Sequence, residues 1–309
     1  MKDCGNCRLN NESIHFDIKV CKKCSRTNRA FFEPKPNAAE IMENLIQEGT
    51  YGLLKETESK LKAIKNSMYM HLRESEAKRH EFEKFNVVAK FVPKKIFDVD
   101  YKGIVQYLFY YLTPELVCKA IKIDVKSLKE NQELREELEN YKRNPSYYVK
   151  PSFNKVGKEL VRSSDFDYEG YKLNYLAETF KNLNPSLKQY EELYDRAKIE
   201  MLECSELQER KKLSHSYGSV SLIANQPEYK IFKLFEDYGE DFLIKNCLPD
   251  SSKVQWYIDS GLLAKSDIDA FKTINDIRLD FIVMPLDVER EIMSMNGQRR
   301  VNLSLRNLG

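Results

Sequence analysis

The sequence lacks any apolar run of 18 residues, the length a membrane-spanning helix needs. With 32% of its residues charged, a membrane protein is not expected. It also lacks the glycine-rich loops that cradle phosphates. Neither a P-loop nor G-x-G-x-x-G occurs, and Gly157-Lys158 stands without a loop before it. There is no G-x-S-x-G nucleophile elbow and no H-E-x-x-H zinc helix. Histidine is scarce, with only His15, His71, His80 and His215. No repeat of fixed period and no low-complexity tract is seen. Net charge is nearly absent too, at +2, so any nucleic-acid surface must come from local clustering. The opening Met-Lys-Asp-Cys-Gly has no apolar h-region, so a cytoplasmic location is expected, the host cytoplasm if the protein is viral. No residue pattern spells out an enzyme.

What is present is a chain of 309 residues, 42% hydrophobic and 11% aromatic, with room for two domains or three small ones. Seven cysteines are unevenly placed. Cys118, Cys204 and Cys247 are scattered singly among apolar neighbours and read as core filling. The other four form Cys4-x2-Cys7-x13-Cys21-x2-Cys24. Two Cys-x2-Cys turns can close a thiolate tetrahedron about Zn2+, and four sulfurs leave no open position for catalysis. A structural zinc is therefore expected over residues 1–30, which have few large apolar residues to fold on otherwise. The second cysteine pair is basic. Lys19, Lys22, Lys23, Arg26 and Arg29 come without an intervening acid, which suits phosphate contact and equally suits balancing the zinc-thiolate charge.

Beyond a Pro-rich linker at 31–36, the pattern predicts a mainly α fold with few strands. Asn37 and Glu40 have capping-box spacing, with Ile41, Leu45 and Ile46 on an apolar face and Gly49 at the end. A long helix is expected over about 51–85, with Leu54, Leu61, Ile64, Met68 and Leu72 at helical spacing. Residues 87–92 read as a short strand, and three helical pieces follow over 101–143. Two prolines and several aromatics place a domain boundary near 144–152. Helices are then expected at 154–164, 168–182, 185–213, 227–246, 251–260, 266–283 and 286–296, with a polar break at 214–226. The expected domains are 1–30, 37–143 and 152–309.

Three segments resemble known families. Residues 4–24, with C-x2-C, a strand carrying Phe16, and C-K-K-C followed by Arg and Asn, resemble the small Cys4 zinc modules of phage proteins and HNH-type endonucleases. The histidine-rich nuclease site of the latter is missing. Residues 112–128 (LTPELVCKAIKIDVKSL), supported by 101–111, are similar to the MerR-like and sigma-region-4-like helix-turn-helix. That resemblance implies helices beginning at Thr113 and Asp124, a buried set of Ile121, Ile123 and Leu128, and a recognition helix offering Lys126, Lys129 and Asn131 to DNA. It departs from the pattern at Lys122, where glycine usually permits the turn, and in Glu130, Glu133, Glu136, Glu137 and Glu139, which would repel DNA unless they face elsewhere. Residues 256–281 resemble a HEPN helix pair. Arg278 is present, but Leu279 and Val283 replace the Asn and His of its RNA-cleaving motif, which implies an inactive pairing or packing domain. Asp165, Asp167 and Glu169 are spaced as magnesium ligands can be, and read as a polar loop.

The leading expectation is a DNA-binding regulatory protein of phage or mobile-element type with a structural zinc. Its partner is nucleic acid or a host protein, with no membrane and with room for a homo-oligomer through the C-terminal helices. Alternatives are a phage interaction factor acting on host transcription or defence machinery, and an unrecognised nuclease.

Overall fold

A computed structural model describes residues 36–161 and 165–306, with side chains to Gln298, together with Cys7 and Cys24. It is 60% helical with 22% strand in three small sheets. The chain divides into two compact units, each gathered from three stretches: 1–60, 147–166 and 185–223 in the first, and 61–146, 167–184 and 224–309 in the second.

In the first unit, α1 (Ala38–Gln47) begins as its sequence dictates. The Asn37 side chain accepts from the N–H groups of Ala39 and Glu40, both at 3.0 Å, while the Glu40 carboxylate accepts from the Asn37 N–H at 2.9 Å. Its buried face, Ala38, Met42 and Ile46, joins Leu54 from the first half of α2 (Thr50–Leu72). The same core holds Val149, Met201, Leu207, Leu213, Val220 and Leu222. A three-stranded sheet runs β4 (Tyr147–Phe153), β6 (Gly218–Ala224), β5 (Lys212–His215). Pro151 has no N–H to give, and it sits on edge strand β4, where that lack is tolerated. The β5–β6 hairpin pairs His215 with Gly218. Gly218 has φ +153° and packs so closely on Ser152 that a Cβ there would collide with its carbonyl.

The second unit contains a helical cluster and a long ribbon. The cluster is built from α3 (Tyr101–Tyr111), α4 (Pro114–Ala120), β3 (Ile121–Ile123), α5 (Val125–Glu130), α6 (Gln132–Glu137), α10 (Ile231–Asn246), β7 (Cys247–Pro249), α11 (Ser251–Asp259) and α12 (Lys265–Asp269). Between these groups in the chain lie α7 (Lys155–Leu160), α8 (Leu173–Leu202) and α9 (Ser205–Arg210). The ribbon pairs β2 (Val87–Val99) with β8 (Lys272–Pro285) antiparallel from Val87↔Pro285 to Val99↔Lys272, with β1 (Arg79–Phe82) on the far side of β2. Helix α13 (Leu286–Arg306) follows β8 directly. Its first turn is fixed by Glu289, 1% exposed, whose carboxylate meets Arg79 at 2.7 Å and Lys90 at 2.5 Å.

The expected mainly α fold with few strands is corrected, since three small sheets replace parts of it. The segment 266–283 is helical only to Asp269: 272–285 is the longest described strand, because Ile277, Leu279 and Phe281 alternate with polar residues and face Lys95, Pro93 and Phe91 across the ribbon. The HEPN resemblance, which needs a helix there, falls with it. The helix expected over 51–85 ends at Leu72, and residues 79–82 pair with β2 instead. Strand β4 begins within the expected domain boundary at 144–152, and the expected break at 214–226 contains most of a hairpin. In each case strand pairing overrides the local pattern, with a near neighbour at 79–82 and in the β5–β6 hairpin and with a distant one at 147–153 and 272–285.

Candidate nucleic-acid interface

The helix-turn-helix candidate lies wholly within the second unit. Asp100 caps α3 by accepting from the Gly103 N–H at 2.9 Å, and Ile104, Val105 and Leu108 are buried. Pro114 takes the first position of α4 after Thr113, whose side chain does not cap the helix. The Glu115 carboxyl is held below the usual range by its own backbone N–H and the Thr113 hydroxyl. Val117, Cys118 and Ala120 are buried in α4.

The chain then departs from the expected turn. Residues 121–123 form a strand, Ile121↔Pro249, Lys122↔Leu248, Ile123↔Cys247, and Lys122 needs no positive φ. Ile121 and Ile123 point inward and Lys122 outward. Asp124 ends the strand and begins α5. Its carboxylate accepts from the Lys126 N–H at 3.0 Å and the Ser127 hydroxyl at 2.5 Å, and the Ser127 bond foremost lowers its pKa. Leu128 is buried with Ile121 and Ile123 in one core. Lys122, Lys126, Lys129 and Asn131 are exposed, and among the described residues none of the three lysines forms an ion pair.

The expected single recognition helix is broken. Asn131, at φ −124° and ψ 94°, ends α5, and its side-chain oxygen accepts from the Leu134 N–H at 3.0 Å to cap α6. Only its amide NH2 remains to donate outward. Several of the acids that follow are engaged. Glu137 accepts from the Tyr238 hydroxyl at 2.8 Å, Glu136 from the Gln132 side chain at 2.8 Å, and Glu139 pairs with Lys142 at 2.5 Å. Tyr141 donates to Asp237 at 2.6 Å. The carboxylates of Glu137 and Asp237 are thus tied at the contact with α10, while Glu130 and Glu133 stay exposed.

Sequence reasoning missed a near two-fold in this cluster. Helix α4 runs into β3 and then into α5 at Asp124; α10 runs into β7 and then into α11 at Asp250. The Asp124 N–H donates to the Asn246 carbonyl at 2.9 Å, and the Asp250 N–H to the Ala120 carbonyl at 2.7 Å. Asp250 caps α11 through Ser252 and Lys253 as Asp124 caps α5. Leu128 and Val254, four residues after each aspartate, are both buried. The shared signal is apolar-x-apolar-Asp-x3-apolar, IKIDVKSL and CLPDSSKV. Ser251, Lys253, Gln255 and Trp256 thereby occupy on α11 the places of Val125, Ser127, Lys129 and Glu130, and Trp256 is 59% exposed.

The single cysteines Cys118 and Cys247 lie in the same core. Burial pushes their thiols up to about 11 and about 12. Such thiols are poor nucleophiles and poor ligands at neutral pH. The third, Cys204, packs half-buried against the core of the first unit.

Of the expected zinc ligands, Cys7 is buried and Cys24 half-buried, while Cys4 and Cys21 lie outside the described residues, as do Lys19, Lys22, Lys23, Arg26 and Arg29. Among the described residues no three His, Cys, Asp or Glu side chains gather as metal donors. Residues 165–169 form a loop in which Asp167 accepts from the Glu169 N–H at 2.8 Å. No described helix is long and apolar enough to cross a membrane. The chain matches no protein-family model, no curated protein and no solved structure with which it was compared.

Proposed function

We propose that this chain is a nucleic-acid-binding regulatory protein, with DNA as its ligand, that binds through the strand and helix at residues 121–131. One observation carries the reading: Lys122, Lys126 and Lys129 stand exposed and form no ion pair among the described residues, with Asp124 the acid nearest Lys126 in its electrostatics, while Ile121, Ile123 and Leu128 fix the backbone that bears them. The start of α5 offers no anion site of its own, because Asp124 already fills it. Binding therefore rests on lysine charge, supplemented by the Asn131 NH2. In this reading the four cysteines Cys4, Cys7, Cys21 and Cys24 hold a structural zinc. Sulfur donors suit that metal, and the cations of residues 19–29 add to the phosphate-binding charge.

The test exchanges Lys126 and Lys129 for Glu and follows binding of a labelled duplex across a salt series. Binding should weaken on all sequences. The log–log salt slope should flatten by about 0.9 for each phosphate that a lysine no longer neutralises. An unchanged slope with unchanged affinity would remove α5 from the interface.

A second reading, a protein-interaction factor, draws on α13. From Glu291 to Gln298 every side chain is exposed, Ile292, Met293 and Met295 among them. A helix without packing is marginal in water, and apolar side chains on it suit a protein partner.

A further inference from the structure

We propose that two copies of this chain pair through the open edge of β8, antiparallel, about a two-fold axis at Leu279. The inference is independent of the nucleic-acid reading.

The ribbon fixes which backbone groups are free. The Phe91 N–H donates to the Lys78 carbonyl at 2.8 Å, on the side of β2 away from β8. Peptide groups alternate along a strand, so Pro93 and Lys95 also face away from β8. Opposite these three stand Phe281, Leu279 and Ile277. In an antiparallel pair, residues opposite one another share the same orientation. Phe281, Leu279 and Ile277 therefore turn their N–H and C=O groups to the outer edge of β8, an edge with no neighbouring strand among the described residues. The Ile277 N–H supports this phase, since the adjacent Asp276 carboxylate meets it at 2.7 Å instead of a β2 carbonyl. The outer edge of β2 is different: Pro93 has no N–H and blunts it. Of the two outer edges of the ribbon, that of β8 is the less obstructed among the described residues, with the Asp276 carboxylate giving up the Ile277 N–H on pairing. A long exposed edge of this kind invites another strand.

Side chains select the occupant. Ile277, Leu279 and Phe281 line one face, with Leu279 56% and Ile277 54% exposed. Arg278 and Asp280 share the opposite face and bond each other at 2.8 Å. In a self-pairing centred on Leu279, Leu279 faces its own copy and Ile277 faces Phe281 of the second copy. Arg278 then faces Asp280 of the second copy, twice over. The two charge pairs form one alternating cluster, with Lys94 at its border, 3.8 Å from Asp280. Moving the centre by one residue sets Arg278 against Arg278, or Asp280 against Asp280. Centring on Ile277 carries the pairing across the irregularity at Asn275, which stands unpaired in the register. The edge is complementary to itself in one register, which favours a second copy over an unrelated strand.

Sedimentation velocity of the full chain over a wide concentration range tests this. The wild type should show a reversible monomer–dimer equilibrium. Arg278→Asp and Asp280→Arg each place like charges opposite one another at two positions and should raise the dimer Kd about tenfold or more. Mixing equal amounts of the two variants should restore association, because an all-acidic edge then meets an all-basic one. Arg278 is exposed and Asp280 half-buried at the surface, neither in a core, and circular dichroism should be unchanged. A wild type that stays monomeric throughout, or a dimer whose Kd neither single variant shifts, or a mixture no tighter than its components, would overturn the proposal.

Discussion

Replacing Glu289 by Gln should detach the base of α13 from the sheet. The Glu289 carboxylate is 1% exposed and is held by Arg79 at 2.7 Å and Lys90 at 2.5 Å, with Glu81 on the far side of Arg79. Glutamine keeps the shape and removes the charge. Lys90, whose side chain is 18% exposed, is then left largely desolvated without a counter-ion. Breaking one side of a fully buried pair costs about 3–5 kcal/mol. Arg79 is 40% exposed and can turn to water or to Glu81, so the expected loss is smaller, about 2–3 kcal/mol. For a unit of this size that lowers the melting midpoint by roughly 5–10 °C. The pH dependence supplies a second readout. Arg79 first, then Lys90, hold the Glu289 carboxyl below its ordinary value. A depressed carboxyl contributes stability that is complete above the unfolded pKa of about 4.3 and is lost as pH falls through the folded value. Urea unfolding followed from neutral pH down past pH 4 should therefore show the two proteins converging, as the wild type loses what the variant never had. A cost near zero at pH 7, or parallel pH curves for the two proteins, would show that this carboxylate is solvated and the reasoning wrong.

Two further outcomes test other parts of the chain. Freshly purified protein should contain one zinc per chain by elemental analysis, and Cys21→Ser should abolish it; a metal content of zero would sink the sulfur site. In the folded protein, thiol reagents at neutral pH should reach Cys118 and Cys247 only at the rate of unfolding, because burial raises both thiols well above the ordinary value. Rapid labelling of either by peptide mapping would contradict their placement in the core.

What can be read from the sequence is what depends on near neighbours. The Asn37–Glu40 box, the helical spacing of Leu61, Ile64, Met68 and Leu72, and the capping by Asp124 involve residues a few positions apart. What cannot be read depends on distant partners. Residues 121–123 look like a turn until Cys247–Pro249 is brought beside them, and residues 272–285 look helical until Val87–Val99 is. The tyrosines and prolines of residues 145–153 suggest a boundary rather than a strand because nothing near them in sequence reveals β6. At the candidate interface, side-chain exposure at Lys126 and Lys129 follows from the burial of Leu128 by helical geometry. The break at Asn131 does not: Asn caps helices as readily as it sits inside a polar one, and only the second cap distinguishes the two.

The long ribbon bears on how the chain is made. Some 190 residues separate Phe91 from Phe281, its partner. A ribosome adding 5–20 residues per second needs roughly 10–40 s to cover that distance. Throughout that interval the nascent β2, with Val87, Val88 and Phe91 destined for burial or half-burial, has no second strand to close against on its β8 side. Vectorial synthesis therefore leaves a sticky half-ribbon exposed until late. Prematurely terminated products cannot complete it, and cells with limited holdase capacity are expected to recover this protein largely as aggregate at elevated temperature.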